Sequence, residues 1–340
     1  MRTILALLLV AATASARPTV AVVAQNDGTE ITDFLVPYGV IASAGTVDVV
    51  AVATADGPVA MWPGLTIEAD TTIDAFDRTH PDGADVVVVP AMHDAGNEVT
   101  RRWLRTQAAR GATIVSICDG ALVVAGTGLL DGRRATGHFY SATQRQRDFP
   151  AVHWVNDTRW VHDGPFVSTS GVSASLPAAV YVTGLVAGAT RAQEVARAQG
   201  LAVVDATHDS NAFRIGTAEY WLGARNLLFG WPRDVYAVEL RDGMDEVALA
   251  FTVDMLSRTY FSHAIAVAPT ATITTRHGLR VRRDVAPDAV PVRAIAVGTD
   301  GIVVRDGARA PDDVLAVLTT RYGPDVAGFV ATQLEYPTSR

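Results

Sequence analysis

The single cysteine of this 340-residue chain stands where a thiol could act as a nucleophile. Cys118 lies inside the run Thr113-Ile-Val-Ser-Ile-Cys118-Asp-Gly-Ala-Leu-Val-Val-Ala-Gly126. Its β-branched residues Ile114, Val115 and Ile117 predict a buried parallel strand, and Ala121 to Val124 predict the start of a helix packed on it. A strand-to-helix turn that tight forces its central residue into a strained backbone conformation, and Gly120 lets the helix pass close to the strand. The thiol would then stand at the carboxyl end of the sheet, above a helix N-terminus whose partial positive charge favours thiolate. The competing reading is a small buried core cysteine. A second candidate is Asp33, in Gly28-x4-Asp-x3-Pro37. It follows the first predicted strand, and strand ends are where α/β sheets place their ligands. Its alternative is an ordinary first-turn carboxylate complementing the helix dipole. His80, His93, His153, His162 and His208 show no HExxH or CxxC-type spacing, so no metal is expected.

The elements that must position these residues alternate. Val20 to Ala24 and Val47 to Ala53 predict strands flanking a helix from Ile31 to Ala44, a βαβ unit. Gly57 to Asp70 predicts a hairpin excursion around Leu65-Thr-Ile-Glu68, and the unbroken run Val86 to Val89 predicts a central buried strand. Trp103, Leu104 and Ala108 set a helix over 98–110, ended by Gly111. Phe166 to Ser170-Gly171 reaches another strand end, so Ser170 and Gly171 are expected to line the pocket. An apolar helix follows from Leu176 to Gly188.

Four stretches in this order resemble the DJ-1/PfpI superfamily, a class I glutamine-amidotransferase-like group. They are Asp27 to Pro37, Ala84 to Pro90, Ser116 to Ala121 and Gly126 to His138, within a resembling region of about residues 19 to 190. The pattern is most similar to isonitrile hydratases and to sensor domains of certain transcription regulators. The resemblance implies a flavodoxin-like α/β fold, a parallel sheet sandwiched by helices, and a cofactor-free cysteine enzyme acting on a small molecule. It implies that Cys118 attacks, that Asp33 shares a proton with it, and that His138 lies near the thiol as a third candidate catalytic residue. The N–H groups of Ala91 and Asp119 are implied to face developing negative charge. Where the family has Pro-Gly-Gly, this chain has Pro90-Ala91-Met92, which restricts the backbone of an oxyanion hole. Asp119 stands where the protease-like branch places a histidine. A hydrolase, a glyoxalase-like activity and a non-catalytic ligand-binding protein remain open alternatives.

The rest of the chain sets bounds. With 49% hydrophobic and 19% charged residues it can bury a sizeable core. A net charge of −8 and a pI near 5.4 disfavour a nucleic-acid surface. Met1-Arg2-Thr3, the apolar run Ile4 to Ala12 and Ala14-Ser15-Ala16 read as a signal peptide over 1–16, implying a periplasmic or secreted protein with no membrane span. After a domain over 17–190 and an aromatic-rich connector over 191–233, expected to be buried between halves, an internal repeat begins. Asp27-Gly28 recurs 215 positions on as Asp242-Gly243, and Gly64-Leu65 recurs 214 positions on as Gly278-Leu279. Residues 234–340 are therefore expected to form a degenerate, abbreviated copy lacking the cysteine, with Ala248 at the place of Asp33. Such a copy would make a monomer with an internal pseudo-dimer.

Overall fold

The computed structural model describes residues 17–229, 233–298 and 301–337. The expected signal peptide lies outside the described residues, as do Gly230, Trp231 and Pro232 of the connector. The N-terminal half is built on a seven-stranded sheet. Its order is Trp160–Asp163, Phe166–Thr169, Thr113–Ser116, Val86–Val89, Thr19–Ala24, Asp48–Ala53 and Thr71–Thr72. All neighbours are parallel except the Trp160–Asp163 edge. The central strand Val86–Val89 is buried along its whole length, which is why it carries no polar alternation. Helices cover both faces. Ile31–Ala42 and Ser175–Ala187 pack with Val20, Val22 and Val88, whereas Glu98–Ala109 and Gly120–Ala125 pack with Ala21, Val23 and Val87.

The second half repeats this plan on a smaller scale. Ser262–Val267, Asp234–Glu239 and Ile295–Val297 form a parallel three-stranded sheet, in the order that Asp48–Ala53, Thr19–Ala24 and Val86–Val89 have in the first. The helix Glu246–Ser257 stands where Ile31–Ala42 stands, 215 positions on, and the two pack against each other. Each half also extends a hairpin, Pro58–Trp62 with Thr66–Glu68 and Thr272–Thr274 with Arg280–Arg282, and these join into one sheet. At the join Ile67 pairs with Val281, its own counterpart 214 positions on, and Thr66 and Glu68 pair crosswise with Arg282 and Arg280. Such self-pairing is the mark of a two-fold axis between copies. One continuous apolar core runs from Phe34 and Leu35 to Phe251 and Met255.

Two features differ from the sequence reading. The helix pair Ser175–Ala187 and Ala189–Ala198 packs as a unit, so a boundary at residue 190 cuts through it. The aromatic connector is not buried between halves: in the helix Thr217–Phe229, Tyr220, Trp221, Leu227 and Leu228 are all exposed. Among the described residues, no helix is long and apolar enough to cross a membrane.

The shared core makes a strong demand on a shortened chain. A protein ending at Gly230 is expected to aggregate or dimerise, because the Ile31–Ala42 helix loses the Glu246–Ser257 helix packed on it and exposes more than the few hundred Å² that soluble monomers tolerate. The full chain is expected to be monomeric. Light scattering on both decides it, and a well-behaved monomeric fragment would sink the expectation.

Candidate active site

Cys118 has the conformation an elbow requires. Its φ is +55°, a left-handed value that costs a side-chain-bearing residue energy, and its N–H donates to Thr169 Oγ1 at 3.1 Å. Gly120 is dictated by contact: a Cβ there would lie 2.0 Å from the Val89 carbonyl oxygen. The thiol is 5% exposed, on the floor of a cavity that Glu30, Ala91, Asp119, His138 and Arg258 also line.

The charge around the thiol reverses one expectation. Burial pushes the Cys118 thiol well above its ordinary value, and the carboxyls of Asp33, Asp119, Glu30 and Glu335 push it further. The short elbow helix, Gly120–Ala125, does not outweigh desolvation plus four acids. Cys118 is therefore a neutral thiol at pH 7. Alkylation by iodoacetamide, followed by mass across graded pH, is expected to titrate above pH 9 and to move downward in Asp33→Asn. A titration near the unperturbed ~8.5 would contradict the burial.

Asp33 is fully buried. Its Oδ2 accepts the Ala91 N–H at 3.1 Å, whereas Oδ1 has no hydrogen-bond partner. Burial raises its pKa to about 7, against the opposing pull of the Ala91 N–H and Arg258. Its own N–H donates to Glu30 Oε2 at 2.5 Å, making Glu30 the cap of the Ile31–Ala42 helix. The other Glu30 oxygen accepts from Arg258 Nη2 at 2.6 Å. Arg258 also donates through Nε to Asp254 Oδ1 at 2.5 Å, and Asp254 Oδ2 accepts from Thr32 Oγ1 at 2.9 Å. A buried polar chain thus ties the first-half helix cap to the second-half helix.

The remaining predicted residues take different places. The Ala91 N–H, expected to meet developing negative charge, is engaged by Asp33. Asp119 accepts from Ser141 Oγ at 2.5 Å, with Arg145 Nη1 at 4.0 Å. His138 does line the cavity, yet both ring nitrogens are occupied: Nδ1 accepts the Tyr140 N–H at 3.3 Å and Nε2 faces the Gln333 carbonyl at 3.1 Å. That assigns the proton to Nε2 and leaves no lone pair for the thiol, so the histidine is a wall residue and not a base. Ser170 and Gly171 do not line the cavity; the Gly171 N–H donates to Glu335 Oε2 at 2.9 Å, and Val172 lines the wall instead. Glu335 also accepts the Phe139 N–H at 2.7 Å and lies 2.8 Å from His208. Burial would raise its carboxyl, but His208, His138 and these N–H donors hold it at about 2. The ligand atoms of Cys118, Asp119 and His138 lie within 4.8 Å of one another, so the histidine does stand near the thiol.

A family model described as the DJ-1/PfpI family matches residues 18–180. An isonitrile hydratase from Pseudomonas putida is 31% identical over 169 residues, covering 48% of this chain and 70% of that protein. The chain belongs to the DJ-1/PfpI family. It is also similar to the HTH-type transcriptional regulator CdhR of Pseudomonas aeruginosa, 31% identical over 123 residues, and spans 35% of that relative's length. The crystal structure of Drosophila melanogaster DJ-1beta, 22% identical with a TM-score of 0.50, covers 55% of this chain and 100% of its own, and shows the shared fold. The family match ends at residue 180. Arg258, Asp254 and Glu335, which the sequence reading missed, all lie beyond it. One signal was available: Asp254 and Arg258 are an i,i+4 charged pair on a helix otherwise rich in apolar residues.

Proposed function

We propose that the protein is a cofactor-free enzyme that hydrates an isonitrile to an N-formamide, with Cys118 as nucleophile and Asp33 as proton carrier. One observation carries this reading: a buried carboxyl titrating at about 7, with one oxygen unpartnered, is the strongest charge acting on the neutral thiol. A carrier poised near the working pH can both take a proton and give it back. Sulfur bonds to the terminal isonitrile carbon as the thiol proton passes to Asp33 and then to that same carbon, giving a thioimidate. Water adds to this carbon through its oxygen while its proton goes to nitrogen. The hydroxyl proton returns to sulfur as the carbon–sulfur bond breaks, releasing the formamide.

This sequence creates no oxygen anion at carbon. Hydrolysis of amides or thioesters does, and requires free N–H donors at that point. Engagement of the Ala91 N–H by Asp33 removes one of the two expected donors, which favours hydration over hydrolysis. The neutral thiol also suits a protein that only binds its ligand. A panel of isonitriles, α-oxoaldehydes, amides and thioesters, with Cys118→Ser as control, separates the three. Formamide released by the wild type and not by the Cys118→Ser variant supports the proposal, and turnover of amides alone would end it. Export is part of the same proposal, resting on residues 1–16. A mature N-terminus other than one near Arg17 would count against it.

A further inference from the structure

The cavity over Cys118 is far larger than a reacting isonitrile carbon needs. Its volume is about 920 Å³, near the top of the range that holds drug-sized ligands. A substrate of three heavy atoms, at roughly one water volume (~30 Å³) per atom, would fill about a tenth of it. The walls are apolar and largely aromatic: Trp62 and Leu122 from the first half, Tyr220 and Leu227 from the Thr217–Phe229 helix, Tyr260 and Phe329 from the second half. They answer the question left by the exposed connector helix, since two of its large residues face a cavity.

The floor sets the charge that can enter. Glu30 and Asp119 line it, with Asp33 behind them. Among the described lining residues the one guanidinium is Arg258, and it is already committed. Its Nε donates to Asp254 and its Nη2 to Glu30, and its Cζ lies 4.5 Å over the Trp62 ring. An anionic substrate would meet Asp119 and Glu30, with the one lining guanidinium already shared between Glu30 and Asp254, and a small one would leave aromatic walls wet.

We propose that this cavity takes an uncharged substrate with an aromatic or branched apolar body, and that the connector helix and second half supply the walls that select it. The proposal deepens the isonitrile reading but rests on it only for turnover, because the selection is made by apolar walls that take no part in the chemistry.

The test uses the full-length Cys118→Ala protein, in which chemistry cannot proceed, titrated by calorimetry. The probes are N-benzylformamide, N-methylformamide and N-(4-carboxybenzyl)formamide, with benzamide and benzyl alcohol carrying the same ring on other heads. The neutral benzyl probes are expected to bind at least tenfold more tightly than N-methylformamide and than the carboxylate. Leu227→Arg changes a residue already 54% exposed, so the fold is not at stake. It is expected to reverse the discrimination against the carboxylate. Equal affinity for the methyl and benzyl probes, preference for the carboxylate, or unchanged selectivity in Leu227→Arg would each overturn the proposal. If benzyl probes bind whatever their head while the wild type hydrates no isonitrile, the wall assignment stands and the hydration reading falls. If methyl isonitrile is hydrated as fast as benzyl isonitrile and the probes bind alike, the reverse holds.

Discussion

Asn in place of Asp33 is expected to remove turnover and strengthen the fold at the same time. Loss of a positioned proton carrier costs about 10²–10⁴ in rate. The stability gain follows from linkage. Asp33 titrates at about 7 in the folded protein against 3.8 unfolded, so between those values the native state holds a proton that the unfolded chain has released. Its contribution is neutral below about pH 4 and becomes a growing penalty as pH rises towards 7. A difference of about three units corresponds to about 4 kcal/mol, and because the proton is shared with the coupled Glu30 carboxyl the expected gain is roughly 2–4 kcal/mol. Asparagine keeps an oxygen for the Ala91 N–H and never ionises. Denaturant titrations should therefore show Asp33→Asn more stable than wild type at pH 8 by that amount, and equal to it at pH 4. A variant no more stable at pH 8 would mean that the carboxyl is not desolvated as described. A residue that weakens the fold at the working pH and is nonetheless present is a mark of function.

The N-terminal half was legible because its signals are local. The run Ile114 to Ile117, Gly120 and the central valines each state a strand, a close approach or a buried position within a few residues. The copy was legible as far as its offset stays constant. Beyond the Ile295–Val297 strand the offset falls from about 215 to 135: the turn Val172–Ala174 and the helices Ser175–Ala187 and Ala189–Ala198 recur as Gly307–Arg309, Ala310–Tyr322 and Pro324–Gln333. The copy has thus lost the elbow segment from its middle and kept the closing helices, a deletion that a fixed-offset comparison cannot follow. Tyr220 and Leu227 were misread because aromatic content marks either a buried seam or the wall of a cavity, and only coordinates separate the two. Arg258 was harder to read for another reason, its pairing with Asp254 being the one local signal. It stands 215 positions after Ser43, so the repeat itself points to no arginine.

Arg258 carries the second large expected effect. Among the described residues it is the sole guanidinium paired with Glu30 and Asp254, both of which are at most 6% exposed. Burial alone would lower its pKa, yet the carboxylates of Asp254 and Glu30 hold it above its ordinary value. Removing one partner from a buried ionic group leaves uncompensated charge, which costs about 3–5 kcal/mol. Arg258→Ala is therefore expected to lose roughly that much stability. Because Arg258 joins the second half to the cap of the Ile31–Ala42 helix, the loss should appear in one cooperative transition for both halves. Its charge also pulls the Asp33 pKa down, so without it Asp33 should titrate above 7, and any acid limb of the pH–rate profile should move up with it. Neutralising the stranded acids tests the cause. Arg258→Ala combined with Glu30→Gln and Asp254→Asn is expected to recover most of the stability while keeping the altered pH profile. If the single variant lies within about 1 kcal/mol of wild type, or the triple variant is the least stable of all, the buried chain is not what joins the two halves.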